Sequence, residues 1–327
     1  MTRENPLPTA SHAPGPGDRY AGPMDREGTR DAGGTCLIAG CGYVGTRLAR
    51  RLAARGPVLA LVRSAASAEG LAAAGIPARS VDFDAPAASL EDLGPFDAVA
   101  YLAPPEGLGE TDLRLARFLA ALGDRRPQVL LYLSTTGVYG DTGGAVVDEA
   151  SPTAPGDARS RQRLDAERQA ARWCGARAAR SVILRVPAIY GPHRLPLDRL
   201  QRGEPVLRAE DSGPGNRIHV DDLVAACLAA LEPPVTGVFN LTDGHPETLA
   251  AFTGRLARLV GLPAPAEVAW AEAQGRISPG LLAFLRQSRR VASRRAADLG
   301  WSPALDPEAG LRASLREMGF ELSSEAR

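Results

Sequence analysis

Residues 35–50 constrain this chain more than any other stretch. Thr35-Cys36-Leu37-Ile38-Ala39 is a short apolar run, Gly40-Cys41-Gly42-Tyr43-Val44-Gly45 follows, and Thr46-Arg47-Leu48-Ala49-Arg50 favours helix. A strand that stops at Gly-x-Gly-x-x-Gly and restarts as a helix is the context in which the glycine spacing has a physical meaning. Gly40 lets the chain turn tightly off the strand. Gly42 lets the backbone approach a pyrophosphate, and Gly45 lets the helix pack close to the sheet. The N–H groups of the helix start would face the phosphates, aided by the helix dipole. The stretch predicts a dinucleotide site; a phosphate-free structural turn is the alternative.

Beyond residue 50 the pattern repeats. Apolar runs at 58–63, 78–82, 98–103, 129–133, 181–185 and 238–241 read as strands, and helices are expected at 65–74, 111–122, 158–176, 223–231, 247–260 and 279–298. Asp221-Asp222 reads as the cap of the helix at 223–231. Alternation at this pitch predicts an α/β fold, a Rossmann-type doubly wound parallel sheet with a smaller mixed C-terminal substrate lobe. The expected organisation is a disordered extension at 1–34, an NAD(P)-binding domain at 35–190 and a substrate lobe at 191–327, with the strand at 238–241 returning to the sheet. Residues 1–34 are rich in Pro, Gly, Ala and Ser without an apolar period. They lack the apolar core of a secretory signal, and translation is expected to start at Met24.

Composition excludes several function classes. Thirty-eight basic residues balance thirty-eight acidic ones, so no concentrated positive face argues for nucleic acid. No segment approaches the ~18 uninterrupted apolar residues of a membrane helix. The cysteines Cys36, Cys41, Cys174 and Cys227 have no Cys-x-x-Cys spacing, and the four histidines are scattered, so a reduced, cytoplasmic, metal-free protein is expected. The chain also contains no lysine. Schiff bases, a P-loop lysine and any Tyr–Lys proton-transfer pair are thereby excluded. The second strand ends in Arg63-Ser64 with no acid nearby. An acid there would bind the ribose 2′-hydroxyl of NAD, whereas an arginine suits the 2′-phosphate of NADP. NADP is therefore the expected cofactor, with NAD and a solvated Arg63 as the alternative.

Taken together, several stretches resemble the extended and atypical short-chain dehydrogenase/reductases, the NAD-dependent epimerase/dehydratase family. They are the glycine loop, Asp82-Phe83-Asp84, Tyr101-Leu102-Ala103-Pro104, Ser134-Thr135-Thr136-Gly137-Val138-Tyr139-Gly140, Leu184-Arg185-Val186-Pro187-Ala188-Ile189-Tyr190-Gly191-Pro192 and Arg217-Ile218-His219-Val220-Asp221-Asp222. The resemblance implies that Asp82 accepts from the adenine amino group with Phe83 beside the ring. It implies that Leu102, Ala103 and Pro104 line the nicotinamide-side ribose and that Pro187 meets the nicotinamide. Thr135 falls at the family's catalytic Ser/Thr. Thr136, Tyr190 and Arg217 are the substrate candidates. The implied function is that of an NAD(P)-dependent oxidoreductase or epimerase/dehydratase-like protein acting on a small polar or nucleotide-sugar substrate.

Two departures stand out. Ala39 occupies the first glycine place of the family's longer loop. The places of the family's Tyr-x-x-x-Lys fall on Arg159 and Arg163. Arg163 could still hold the ribose, but a guanidinium releases no proton near neutrality. The proton would come from Thr135 through water, from Tyr139, from Tyr190 or from the substrate. Structural readings stand beside these: Tyr139 packing at a strand end, His219 as a hydrogen-bonder, Arg217 in an ion pair, the arginines at 159–163 as a solvated face, Cys41 merely fitting its loop. The competing function is a catalytically silent NADP-binding sensor. Its partners would be a small molecule and no nucleic acid or membrane, with a homodimer left open.

Overall fold

A computed structural model describes residues 34–322 other than 86, 87, 108 and 233. Apart from Gly34, the expectations for residues 1–34 lie outside the described residues. Seven strands build the central sheet: β1 (Cys36–Ala39), β2 (Val58–Val62), β3 (Ala78–Ser80), β4 (Ala98–Tyr101), β5 (Val129–Thr135), β6 (Arg180–Val186) and β7 (Gly237–Asn240). Their spatial order is β7-β6-β5-β4-β1-β2-β3, with every neighbouring pair parallel. The order reverses between β1 and β4, which defines the crevice where such sheets take ligands.

Both faces of the sheet are buried, as a parallel sheet requires. Successive side chains alternate between two apolar layers. Cys36 and Ile38 of β1 join one layer with Val129, Leu131 and Leu133 of β5. Leu37 and Ala39 join the other with Leu130 and Tyr132. Helices α1 (Tyr43–Ala53) and α5 (Val220–Leu231) cover the first face; α3 (Leu113–Ala121) and α4 (Ala158–Gly175) cover the second. Another helix, α2 (Ala65–Ala73), follows β2. In α1 the buried positions Val44, Gly45, Leu48 and Ala49 recur at helical spacing. Leu48 is wholly enclosed, a burial that contributes about 1.5–3 kcal/mol.

After β6 the chain makes short parallel pairs, Ala188–Tyr190 with Arg217–His219 and Val206–Leu207 with Glu267–Val268. Helices α6 (Leu249–Leu259), α7 (Pro279–Leu285) and α8 (Pro307–Glu317) complete this region.

Two expectations are corrected. The helix at 223–231 starts at Val220 and is capped by His219, whose Nδ1 accepts from Asp221 N–H at 3.2 Å. Asp222 is used elsewhere: its carboxylate accepts from Ala304 and Leu305 N–H. The helix expected over 279–298 stops at Leu285. Arg290–Val291 instead pairs with Val146–Val147, and the Asn216 side chain clamps it by donating to Arg289 O and accepting from Val291 N–H. Long-range hydrogen bonds outweigh helix propensity there.

Candidate functional site

The glycine loop is shaped as its spacing requires. Gly40 sits at φ +95°, and a Cβ there would lie 2.4 Å from Ala103 N. A Cβ on Gly45 would lie 2.5 Å from Gly40 O. Both positions therefore have no room for a side chain. Gly42 differs: a Cβ there would meet nothing within 4 Å. Gly42 is also the N-cap of α1, with no side-chain cap and no acid in the first turn. The orphan N–H groups of the helix start thus have no side-chain cap. Tyr43 is pinned beside them, its hydroxyl donating to Pro192 O at 2.9 Å and its ring flanked by Arg47 and Arg194. Cys41 is buried, which pushes its thiol up to about 12, so it is inert at neutral pH. Val44 is core.

Arg63 stands exposed at the carboxyl end of β2, with no carboxylate within ion-pair distance among the described residues. Next to it Ser64 caps α2 by accepting from Ser67 N–H at 3.2 Å. Asp82 is exposed and accepts from Asp84 N–H. The Phe83 ring faces the core, edge-on to Phe118, rather than the surface. At the end of β4, Leu102 N–H bonds Ala39 O at 2.8 Å, holding Leu102, Ala103 and Pro104 beside the glycine loop.

Beyond the ends of β5 and β6 lies a cavity of about 590 Å³. Its floor is Leu133 to Gly137 together with Val186 and Pro187. One side is the first turn of α4, with Asp157, Arg159, Ser160 and Arg163. Residues 213–217 with Leu249, and α7 with Gln287 and Arg289, complete the lining. Of the sequence candidates, Thr135, Thr136, Arg163, Pro187 and Arg217 meet in this cavity; Tyr139 and Tyr190 do not line it.

The Tyr139 hydroxyl is committed below the floor. It donates to Asn240 Oδ1 at 2.9 Å and accepts from Arg185 Nη1 at 3.0 Å. Arg185 pairs with Glu167 at 2.7 Å, and Ser134 Oγ donates to the same carboxylate. Burial outweighs the Arg185 and Asn240 bonds, so the Tyr139 phenol titrates above its ordinary range. Tyr190 packs edge-on to Phe252 and His219, and burial, followed by nearby carboxylates, raises its phenol well above the usual range.

Arg163 is buried; its Nη1 donates to Leu133 O at 2.8 Å, Tyr132 Oη at 3.2 Å and Ala103 O at 3.5 Å. All three partners are neutral. Arg217 is buried with its guanidinium over Phe252, and burial lowers its pKa. Thr135 Oγ1 accepts from Gly137 N–H at 3.1 Å, which leaves its own proton to donate. Asp157 is the one carboxylate in the walls; burial raises its pKa, but bonds from Ser160 N–H and Oγ outweigh this and hold it below the usual range. Sequence reading missed Arg289, Asn216, Gln287 and Phe284. Arg289 fell inside the helix expected over 279–298, where nothing marked it as a site residue.

Strand order, glycine loop and cavity together define a doubly wound nucleotide-binding protein with a ligand cleft at its strand ends. The chain belongs to the NAD dependent epimerase/dehydratase family, whose family model matches residues 36–242. Membership carries NAD(P)-dependent chemistry of the oxidoreductase or epimerase kind. A 3-diazoavenalumate denitrifying reductase from Streptomyces is 29% identical over 301 residues, 82% of this chain and 95% of that one. A solved protein of unknown function from Silicibacter pomeroyi is 29% identical with a TM-score of 0.75, covering 87% of this chain and 99% of its own. The UDP-glucuronic acid 4-epimerase of Bacillus cereus, solved with NAD, shares the fold at 17% identity and a TM-score of 0.69, with coverages of 87% and 98%. No helix among the described residues is long and apolar enough to cross a membrane.

Proposed function

We propose that the protein is an NADP-dependent reductase whose substrate occupies the cavity beyond β5 and β6. The observation that carries this reading is the contrast within the glycine loop. Gly40 and Gly45 are packed tight, whereas Gly42 opens on empty space at an uncapped helix start. That is a cradle for a diphosphate. Arg63, in no ion pair among the described residues and next to the serine-capped start of α2, supports the 2′-phosphorylated cofactor. Arg163 and Pro187 would hold the nicotinamide end. The bound cofactor supplies a hydride.

Reduction is favoured over oxidation or epimerisation by what the walls lack. Removing a hydroxyl proton needs a general base near neutrality. Among the described residues the walls hold no tyrosine, histidine or cysteine, and Asp157 is a weakened base. A hydride acceptor takes its proton late, and Thr135 can donate to the developing negative oxygen with water behind it. The Streptomyces relative, named as a reductase, supports the same direction. The same lack of a titrating group also supports a second reading, a silent NADP-binding sensor.

Mixing the protein with NADPH and a panel of carbonyl and other unsaturated acids, and following reduced nicotinamide absorbance, tests both. Turnover with any acceptor establishes the reductase. Tight NADPH binding without turnover selects the sensor, and absence of binding removes both. Arg63→Glu should shift preference from NADP to NAD by about tenfold or more, roughly 1.4 kcal/mol.

A further inference from the structure

The cavity lining combines two unlike kinds of surface. Arg159, Arg163, Arg217 and Arg289 supply a cationic part against the single carboxylate of Asp157. The charges of these arginines are poorly matched within the protein. Arg163 bonds only neutral acceptors, and Arg289 Nη1 donates to Gly140 O and to Gln287 Oε1 at 3.1 Å. Arg217 bonds the carbonyl of Glu247, whose carboxylate lies 4.0 Å away and is taken by Arg255 at 2.8 Å. Burial pulls the pKa values of both Arg217 and Arg289 down, against the opposing pull of Glu247 and Asp243 on the first and of Asp141 and Asp157 on the second.

Another part of the lining is apolar. The helix α7 reads Pro-Gly-Leu-Leu-Ala-Phe-Leu and buries none of its residues. Leu281, Phe284 and Leu285 line the cavity, and Phe284 remains 52% exposed. Ile189 and Leu249 add further apolar lining. An exposed aromatic beside a concave site is the feature that apolar ligands cover.

We propose that the substrate is an organic acid with an apolar, preferably aromatic, body. Its carboxylate meets the guanidiniums of Arg159, Arg217 and Arg289, and its body lies against Phe284 and Leu281. A nucleotide-sugar is the weaker fit, because its polar sugar would face the leucines and Phe284. The inference narrows the substrate of the proposed reductase and rests on that reading for the chemistry. The walls exist without cofactor, so binding can be read separately.

The experiment is calorimetric titration of the full chain, with and without saturating NADP, using cinnamate, cinnamyl alcohol, acetate and UDP-glucose. Cinnamate should bind at least tenfold more tightly than either cinnamyl alcohol or acetate, and UDP-glucose should not displace it. Phe284→Ala should weaken cinnamate about tenfold while NADPH affinity stays unchanged. Arg159→Ala, at an exposed position with no protein partner to lose, should weaken cinnamate and acetate alike. Equal binding of acid and alcohol, an unmoved Phe284→Ala, or displacement by UDP-glucose at lower concentration than cinnamate overturns the proposal. Failure of NADPH binding with cinnamate selectivity intact would instead strike the cofactor assignment alone.

Discussion

Two alanine substitutions three residues apart should have opposite consequences. At Gly42 a Cβ meets nothing of the protein within 4 Å, and φ is −87°. Gly42→Ala should therefore leave stability within about 1 kcal/mol of wild type, slightly raised through the unfolded chain. Its methyl group would stand at the uncapped start of α1, where the diphosphate is proposed to lie. Loss of one or two amide bonds to a charged phosphate, at roughly 1.5–3 kcal/mol each, amounts to about 3 kcal/mol. That is about a hundredfold in Kd for NADPH. At Gly45 the Cβ falls 2.5 Å from Gly40 O, so helix and loop must separate by about an ångström. Gly45→Ala should cost about 1–3 kcal/mol of stability, as overpacking does, and lose cofactor affinity as a consequence. Calorimetric titration with NADPH alongside thermal melts separates the two. NADPH binding by Gly42→Ala at wild-type affinity would refute the placement of the diphosphate, whatever Gly45→Ala does.

Other expected outcomes follow from the buried polar groups. Glu167→Leu strands Arg185 below the cavity floor and should destabilise by about 3–5 kcal/mol in urea titrations; the double variant Glu167→Leu/Arg185→Met should recover most of that. Burial lifts the Asp243 carboxyl from 3.8 to about 6. The folded chain therefore keeps a proton that the unfolded chain gives up, and this contribution is full below pH 3.8 and lost as pH rises to 6. The stability of wild type minus that of Asp243→Asn should fall by about 3 kcal/mol across this window, at about 1.4 kcal/mol per unit; a flat difference would contradict it. Burial takes His219 the other way, from 6.5 to about 4, so its contribution is lost as pH falls through that range. Thr135→Val should lower turnover about 10²-fold with KM little changed, if its hydroxyl meets charge that develops only in the transition state.

The sheet was legible because each strand carries its own evidence. Val129 to Leu133 is an unbroken apolar run because both faces are buried, and glycines mark where β1 ends. The cavity was legible at strand ends and, through Arg163, at the start of α4. Thr135, Pro187 and Arg217 sit at such ends, whereas Arg289 reaches the cavity through a segment whose path is set by Asn216, 73 residues earlier. Local propensity there favours continued helix, and no pattern within the segment announces the clamp. His219 was similarly hidden, since its capping role depends on Nε2 bonding Ser314 Oγ at 3.0 Å across 95 residues. Tyr139 sits at a strand end as well, but its hydroxyl turns inward to Arg185 and Asn240, a choice set by partners 46 and 101 residues away.

β7 joins the sheet only after the chain has crossed the substrate-side segment, and it seals the flank of β6 through Val182 to Arg185. A gene fragment ending near residue 190 would therefore encode every loop proposed to hold the nucleotide yet leave the hydrogen-bonding groups of β6 open to any passing strand. During synthesis the same vulnerability lasts until Asn240 clears the ribosome. The nucleotide half thus matures only when the cleft above it has already been made.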